Sequence, residues 1–468
     1  MNRELAIQMA QFSNTSVSFF VPKCNCCDED KREASNYNVK IVEAEERPGY
    51  EPIDWLTTPP EDLLIDFVVG HGVILGKQAQ FIRKSHQCKW IQVVHTAPDE
   101  LAVYKEYSGA IPKGEEKQSA EFKLCKMADV VVAVGPKLTE FYTALLNFCG
   151  KKVYNFTPGI FKQFASLKVS SIQGKKFRIL VLGRGDTEDF KLKGYDIAAQ
   201  AVAQLVDKTY HLTFVGASRG SQSHVTEELL KHGLLQNQLI VKGYLEKRED
   251  LIPLLCSSNL VIIPSRTEGF GLTALEALSA GIPFLVSQNS GFAEALQDIS
   301  VGSAFIVDSE DPEPWAEAIK ATREKGSERA FQECQELRTL YAEKYSWQRQ
   351  CEELLSVMKS LINEEDFSAS NSSSPRDPAP STYVHVGRPV NPEELVLKTR
   401  LRLGKISYDE KDVKVRVKGW TAPHEMVEHL LRNWQTTNTA ELSVYRGRKT
   451  GNERTVVTKD LESRGRKY

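Results

Sequence analysis

The chain has 468 residues, 41% hydrophobic and 26% charged, with nine cysteines and a formal net charge of −2. That length admits roughly three domains with sizeable cores, and the balanced charge gives no whole-chain reason to expect nucleic acid or a membrane surface as a partner. No apolar run approaches the ~18 residues of a membrane span. The polar start MNRELAIQMAQF does not read as a secretory signal, and an odd number of scattered cysteines favours a reducing compartment, so the expected location is the cytoplasm.

The opening segment, Arg3 to Phe12, carries apolar residues at helical spacing. VSFFVP (17–22), NVKIVEA (38–44) and DFVVGHG (66–72) read as strands. Cys24, Cys26 and Cys27 have no His or fourth Cys at zinc-like spacing, so they read as surface thiols and no metal is expected there. Helix-like GKQAQFIRKSH leads to strand WIQVVH (90–95), a helix through about Met127 and strand ADVVVAVG (128–135). A further helix leads to VYNFTPGIF (153–161). Alternation of strands and helices predicts an α/β layer architecture with a mostly parallel sheet. A doubly wound domain begins with a strand and a glycine turn, and in the usual order that strand is central. This chain starts on a helix, so the first sheet is expected to lack its middle member and to leave unpaired edges. His71 and His95 stand at strand ends, where the ligands of open sheets bind; the alternative is that each only caps its strand.

A second series starts near Lys176 with strand FRILVLGR (177–184) and a helix from Ile197 to Val206. Strand HLTFVG (211–216), a helix near Val225–Leu235, strand LIVKGY (239–244) and helix Arg248–Ser257 follow. The stretch 259–294 then reads as strand, glycine-broken loop, small-residue helix and strand. Its loop places backbone N–H groups at a helix N-terminus, a natural phosphate site. Glu268 lies in the loop, and Glu276 sits within Ala274–Leu275–Glu276–Ala277–Leu278, where a carboxylate is costly unless it meets hydrogen-bond donors. Arg184 and Lys193 follow the first strand of this series, and two cations beside a helix N-terminus suit a diphosphate. Strand AFIV (304–307) and helices from Glu313 into the 340s close the series.

The stretches LVLGRGDTEDFKLKGYDIAAQA and VKGYLEKREDLIPLLCSSNLVIIPSRTEGFGLTALEALSAGIPFLVSQNSGFAEAL resemble the donor-binding domain of family-four glycosyltransferases of GT-B fold. The resemblance covers roughly residues 1–360 and implies two Rossmann-like domains facing a cleft: 1–165 on the acceptor side and 175–345 on the donor side. YSWQRQCEELLSVM resembles the helix that crosses back, at 345–362. It further implies that Glu276 holds the ribose of a nucleotide sugar, while Glu268 and the amides of Phe270, Gly271 and Leu272, in the Gly269–Phe270–Gly271 loop, hold sugar and phosphates. Backbone near Tyr244 meets the base, Arg184 and Lys193 meet the diphosphate, and His95 matches a histidine near the transferred sugar. Glycosyl transfer leaves negative charge on the departing diphosphate, and preorganised cations and amides stabilise it. The expected enzyme is therefore a retaining, metal-independent glycosyltransferase that uses its nucleotide-sugar donor as substrate, needs no cofactor, and acts on an acceptor left open. The alternative is a catalytically inactive nucleotide-sugar-binding scaffold.

Ser- and Pro-rich sequence over 363–392 reads as a flexible linker. Beyond it ELVLKTRLRLGKI and DVKVRVKGW alternate apolar with basic residues, TAPHEMVEHLLRNW has helical spacing, and AELSVYRGRKTGNERTVV reads as a hairpin. Residues 393–468 carry 17 Lys or Arg against 11 Asp or Glu. The order resembles a small α+β ubiquitin-like fold of the Ras-association type, over 393–468. The resemblance implies that a basic edge strand meets a Ras-like small GTPase, with Lys398, Arg400, Arg402, Lys414, Arg416 and Lys418 as contacts, and a role in signal transduction. A solvated, charged edge is the alternative.

Overall fold

Continuous apolar, mostly β-branched sequence makes the central strands: VVVAV at Val130–Val134 and LVII at Leu260–Ile263 are buried along their whole length, as strands covered on both faces require. The computed structural model describes residues 1–23, 27–165, 174–245, 250–370, 394–396 and 414–416. They belong to two units, Met1–Ser372 and Ser373–Tyr468.

The first unit opens with α1 (Asn2–Met9), β1 (Val17–Pro22), α2 (Asp28–Asn36), β2 (Val39–Ala44) and α3 (Pro52–Trp55). Next come β3 (Phe67–His71), α4 (Gly72–His86), β4 (Lys89–Val94), α5 (Pro98–Ala102), α6 (Ala110–Met127), β5 (Val130–Val134), α7 (Pro136–Leu146), β6 (Val153–Phe156) and α8 (Lys162–Ala165). β3, β4, β5 and β6 form a parallel sheet in that order. β1 and β2 pair parallel in a separate two-stranded sheet, Val17 against Val39 through Pro22 against Ala44. The expected discontinuity is therefore present: among the described residues β1 and β3 are each hydrogen-bonded to a strand on one side only.

The second half of the unit runs β7 (Phe177–Leu182), α9 (Tyr195–Gln204), β8 (Tyr210–Ala217), α10 (Gln222–Leu230), β9 (Leu239–Gly243), α11 (Leu251–Cys256), β10 (Leu260–Ile263), α12 (Leu272–Ala280), β11 (Phe284–Ser287), α13 (Gly291–Gln297), β12 (Ile306–Val307), α14 (Pro312–Glu324), α15 (Ser327–Lys344) and α16 (Trp347–Ser370). Its six parallel strands lie in the order β12-β11-β10-β7-β8-β9. The winding reverses between β7 and β10, and in such sheets the crevice beyond the strand carboxyl ends at that reversal is where ligands bind.

Several boundaries differ from expectation. α10 ends at Leu230, not near Leu235, because Gly233 adopts φ +92° and stops the helix before the apolar Leu234–Leu235 pair. Of AFIV only Ile306–Val307 is strand, preceded by a 3₁₀ turn. α16 continues to Ser370, through eight residues read as linker, since the helix-compatible run Asn363–Asp366 extends it and no Pro or Gly intervenes before Pro375. Cys351 and Leu354 of α16 share a core with Leu5 of α1, and the Gln350 side chain accepts from Thr157 N–H at 2.8 Å, so α16 packs against the first half of the unit.

In the second unit β13 (Glu394–Val396) and β14 (Lys414–Arg416) pair antiparallel, Glu394 against Arg416 and Val396 against Lys414. Lys398, Arg400, Arg402 and Lys418, like the expected helix and hairpin of this unit, lie outside the described residues, as do Cys24 and Cys26. Among the described residues no helix is long and apolar enough to cross a membrane.

Candidate functional site

The loops after β7 and β10 leave the sheet on either side of the reversal and bring Arg184, Lys193 and Glu268 to one cavity of about 210 Å³, lined also by Gly183, Tyr195, Ser265 and Thr273. Lys193 Nζ donates to Glu268 Oε1 at 2.6 Å, and Ser265 Oγ donates to the same oxygen at 2.8 Å. Glu268 is only 11% exposed. Burial alone would raise its carboxyl, but the Lys193 ammonium, helped by Ser265 and Lys137, outweighs burial and holds it below the usual carboxylate range. Arg184 is 68% exposed and donates to Asp189 Oδ2 at 3.0 Å, while its carbonyl accepts from the Tyr195 hydroxyl.

Glycine shapes the loop into α12. Gly271, the N-cap, has φ +102°, a conformation a side chain would strain, and its carbonyl takes the first helical bonds from Ala274 and Leu275. The N–H groups of Leu272 and Thr273, in the first turn, have no acceptor within the helix and are free for an anion. Phe270 is buried and packs edge-on against Phe292, and it does not line this cavity; nor do Gly269, Gly271, Leu272 or Glu276. On α12, Leu272, Thr273 and Glu276 are the half-buried positions, whereas Ala274, Leu275, Ala277 and Leu278 are fully enclosed. Glu276 thus leaves the apolar seam its sequence neighbours occupy and lies one turn beyond Thr273 on the open face. Tyr244 is 66% exposed after β9, with its N–H bonded to Ala217 O, and lines neither this cavity nor its neighbour.

The first half of the unit meets this loop directly. A Cβ on Gly269 would stand 2.3 Å from the carbonyl oxygen of His95, and one on Gly135 would stand 2.4 Å from the Phe270 ring. His95, beyond the end of β4, is hydrogen-bonded to His71, at the end of β3, at 2.8 Å. Burial holds both imidazoles low, to about 3 for His71 and about 4 for His95. The backbone of His95 and the glycine loop therefore meet, with His71 beside them.

Several participants were not singled out in the sequence. Lys137, on the first turn of α7, donates to Thr267 Oγ1 at 2.7 Å and to the carbonyls of Glu268 and Asn289 at 3.2 and 3.3 Å, and pairs with Glu100 at 3.0 Å. Lys105 pairs with Asp189 at 3.2 Å beside a second cavity of about 540 Å³ that Arg184 also lines. Tyr104 reaches Glu310, and Glu100 accepts from Thr267. The signal for Lys137 was its place just past the carboxyl end of a strand, behind Gly135–Pro136, the rule that marked both histidines.

Against known structures, the chain superposes on sucrose-phosphate synthase from Thermosynechococcus elongatus with a TM-score of 0.61 at 18% identity, covering 78% of this chain and 93% of that one. It superposes on HepE from Anabaena, solved in complex with UDP and glucose, with a TM-score of 0.59 at 13% identity, covering 76% and 95%. These likenesses define the fold as the two-domain α/β architecture of GT-B glycosyltransferases. In sequence it is 27% identical over 325 residues to the D-inositol 3-phosphate glycosyltransferase of Corynebacterium jeikeium, covering 64% of this chain and 74% of the relative. It is 29% identical over 185 residues to the 2-deoxystreptamine N-acetyl-D-glucosaminyltransferase of Niallia circulans, covering 38% and 46%. Residues 1–354 match the model of the family described as GT4-conflict, "Family 4 Glycosyltransferase in conflict systems", and the chain belongs to that family. It is a glycosyltransferase, and its donor is a nucleotide sugar.

Proposed function

We propose that the chain transfers a sugar with retention of anomeric configuration, without a metal, and that the cavity between the ends of β7 and β10 holds the donor. The observation that carries this reading is the convergence of Arg184, Lys193 and Glu268 on the first turn of α12. Departure of a nucleoside diphosphate concentrates negative charge on its distal phosphate. Lys193, Arg184 and the amides of Gly271 and Leu272 oppose that charge with dipoles and cations already in place, the arrangement that contributes most to transition-state stabilisation when charge develops. A cation supplied by a side chain makes a divalent metal unnecessary for this step. Glu268 orients Lys193 and accepts from the sugar hydroxyls, Glu276 accepts from the ribose, and His95 borders the transferred sugar. Tyr244 lies at the base. The same proposal places the chain in the cytoplasm, on its odd and scattered cysteine usage.

A donor-hydrolysis screen across nucleotide sugars tests it. Lys193→Ala is expected to lower turnover of the active donor by about 10²-fold, with a much smaller change in donor affinity, as for loss of one preorganised charge. Unchanged turnover in that variant removes Lys193 from the leaving-group role.

For the second unit, we propose a Ras-association-like module that takes a GTP-loaded small GTPase on its basic edge. The antiparallel pairing of β13 with β14 supports a strand register in which Lys414 and Arg416 alternate with Val415. Arg416→Glu is expected to abolish capture of such a GTPase from a purified panel; no capture by the unmodified chain ends the proposal.

A further inference from the structure

β3 and the residue after β4 each present a histidine at the carboxyl end of a parallel sheet, and the two rings are bonded to one another. Nδ1 of His71 lies 2.8 Å from Nε2 of His95, with the ring planes 22° apart and the centroids separated by 5.1 Å. Near-coplanar rings at that separation are joined end to end, nitrogen to nitrogen, rather than laid face on face. Such a bond requires one N–H and one bare nitrogen. Among the described residues, neither Nε2 of His71 nor Nδ1 of His95 has a protein hydrogen-bond partner, and neither is a sealed interior atom. Both outer nitrogens are therefore available to a ligand.

Two neutral imidazoles carry two ring protons. One lies in the shared bond, so the other must point outward, and the fourth nitrogen must be bare. If His71 donates inward, His95 shows N–H at Nδ1 and His71 shows a lone pair at Nε2; the reverse tautomer exchanges the two. Burial keeps both rings neutral at physiological pH, so the arrangement of one inward and one outward proton persists.

We infer that His71 is a positioning residue for His95: through the Nδ1–Nε2 bond the proton position on one ring sets that on the other, and the two rings act as one unit offering a single donor and a single acceptor to hydroxyl groups in the cleft. A hydroxyl gives and accepts in the same way, so the unit suits adjacent hydroxyls of an uncharged sugar or polyol. A fully ionised phosphate ester, which only accepts, would leave the bare nitrogen unmatched. The turnover arm of the test rests on the donor reading above; the spectroscopic arm does not.

The test uses the full chain with ¹⁵N-histidine. In the unmodified protein, both rings are expected to stay neutral from about pH 5.5 to 8, spanning the ordinary histidine range, with complementary tautomers, one ring proton inward and one outward. In His71→Leu the bond is gone, and the tautomer population of His95 is expected to change. Turnover of the donor found in the hydrolysis screen is expected to fall about 10- to 100-fold at nearly unchanged KM, the scale of a misplaced proton, and His71→Asn, which keeps a hydrogen-bonding group, is expected to recover part of it. The inference is overturned if His95 keeps the same tautomer population in His71→Leu, or if Leu and Asn variants lose turnover equally. If no nucleotide sugar is turned over by the unmodified chain, the donor reading falls while the tautomer result still decides the pairing.

Discussion

Glu268 and Glu276 are eight residues apart and occupy unlike surroundings. Glu268 is nearly enclosed and neutralised by Lys193 at 2.6 Å, whereas Glu276 stands half-buried on the open face of α12. Both were visible in the sequence as carboxylates out of place, in a glycine loop and in an apolar helix. Their partners were less legible, because Lys137 reaches Glu268 O across 131 positions of chain and belongs to the other half of the unit. A third carboxylate, Glu121 on α6, is 2% exposed and accepts from Gln92 at 2.7 Å. Burial outweighs that bond and raises Glu121 to about 7. The folded state therefore keeps a proton that the unfolded chain releases near its ordinary value of about 4.3, and the group's stabilisation is complete below that value and lost as pH rises through 7. Glu121→Gln, which cannot ionise, is expected to remove this fall of about 2–3 kcal/mol, seen as a flatter dependence of thermal midpoint on pH between 5 and 8. A midpoint with the same slope in both proteins would show that Glu121 titrates normally.

At the scale of elements, the succession of strands in the first unit was readable from periodicity, because most parallel strands buried on both faces are written as continuous apolar runs, whereas the helices α2 and α3 were not. Element ends were less readable: apolar Leu234 and Leu235 extend a helical pattern that Gly233 has already stopped, and polar residues after Ile362 continue a helix that composition assigned to linker. The loop from Glu268 to Gly271 is the element on which the site depends. Its Gly269 is fixed by closeness to the end of β4 rather than by its own backbone angle, and no local pattern could reveal that. Gly269→Ala would drive a methyl group to 2.3 Å from the His95 carbonyl, so the loop and β4 must separate. The expected result is a stability loss of about 1–3 kcal/mol and at least a tenfold fall in turnover, with nucleoside diphosphate still bound by the donor side. Denaturant unfolding and turnover that both match the unmodified chain would contradict this contact.

At the scale of the molecule, the two halves of the first unit are closed on each other through charged and polar contacts. Lys105 with Asp189, Tyr104 with Glu310, and Lys137 with the carbonyls of Glu268 and Asn289 all join them. Such contacts between distant segments are not encoded in any one stretch, which is why the cleft's chemistry was legible on the donor side and largely illegible on the other. The strands of the first unit's first half divide into β1–β2 and β3–β6. The central claim is that the donor side is a working nucleotide site, and calorimetric titration of UDP, GDP and ADP into the full chain and into Glu276→Gln measures it most directly. At least one nucleoside diphosphate is expected to bind the unmodified chain, and Glu276→Gln is expected to weaken that binding about tenfold, equivalent to ~1.4 kcal/mol. Equal affinity of the two proteins for every diphosphate, or no binding by the unmodified chain, would contradict it.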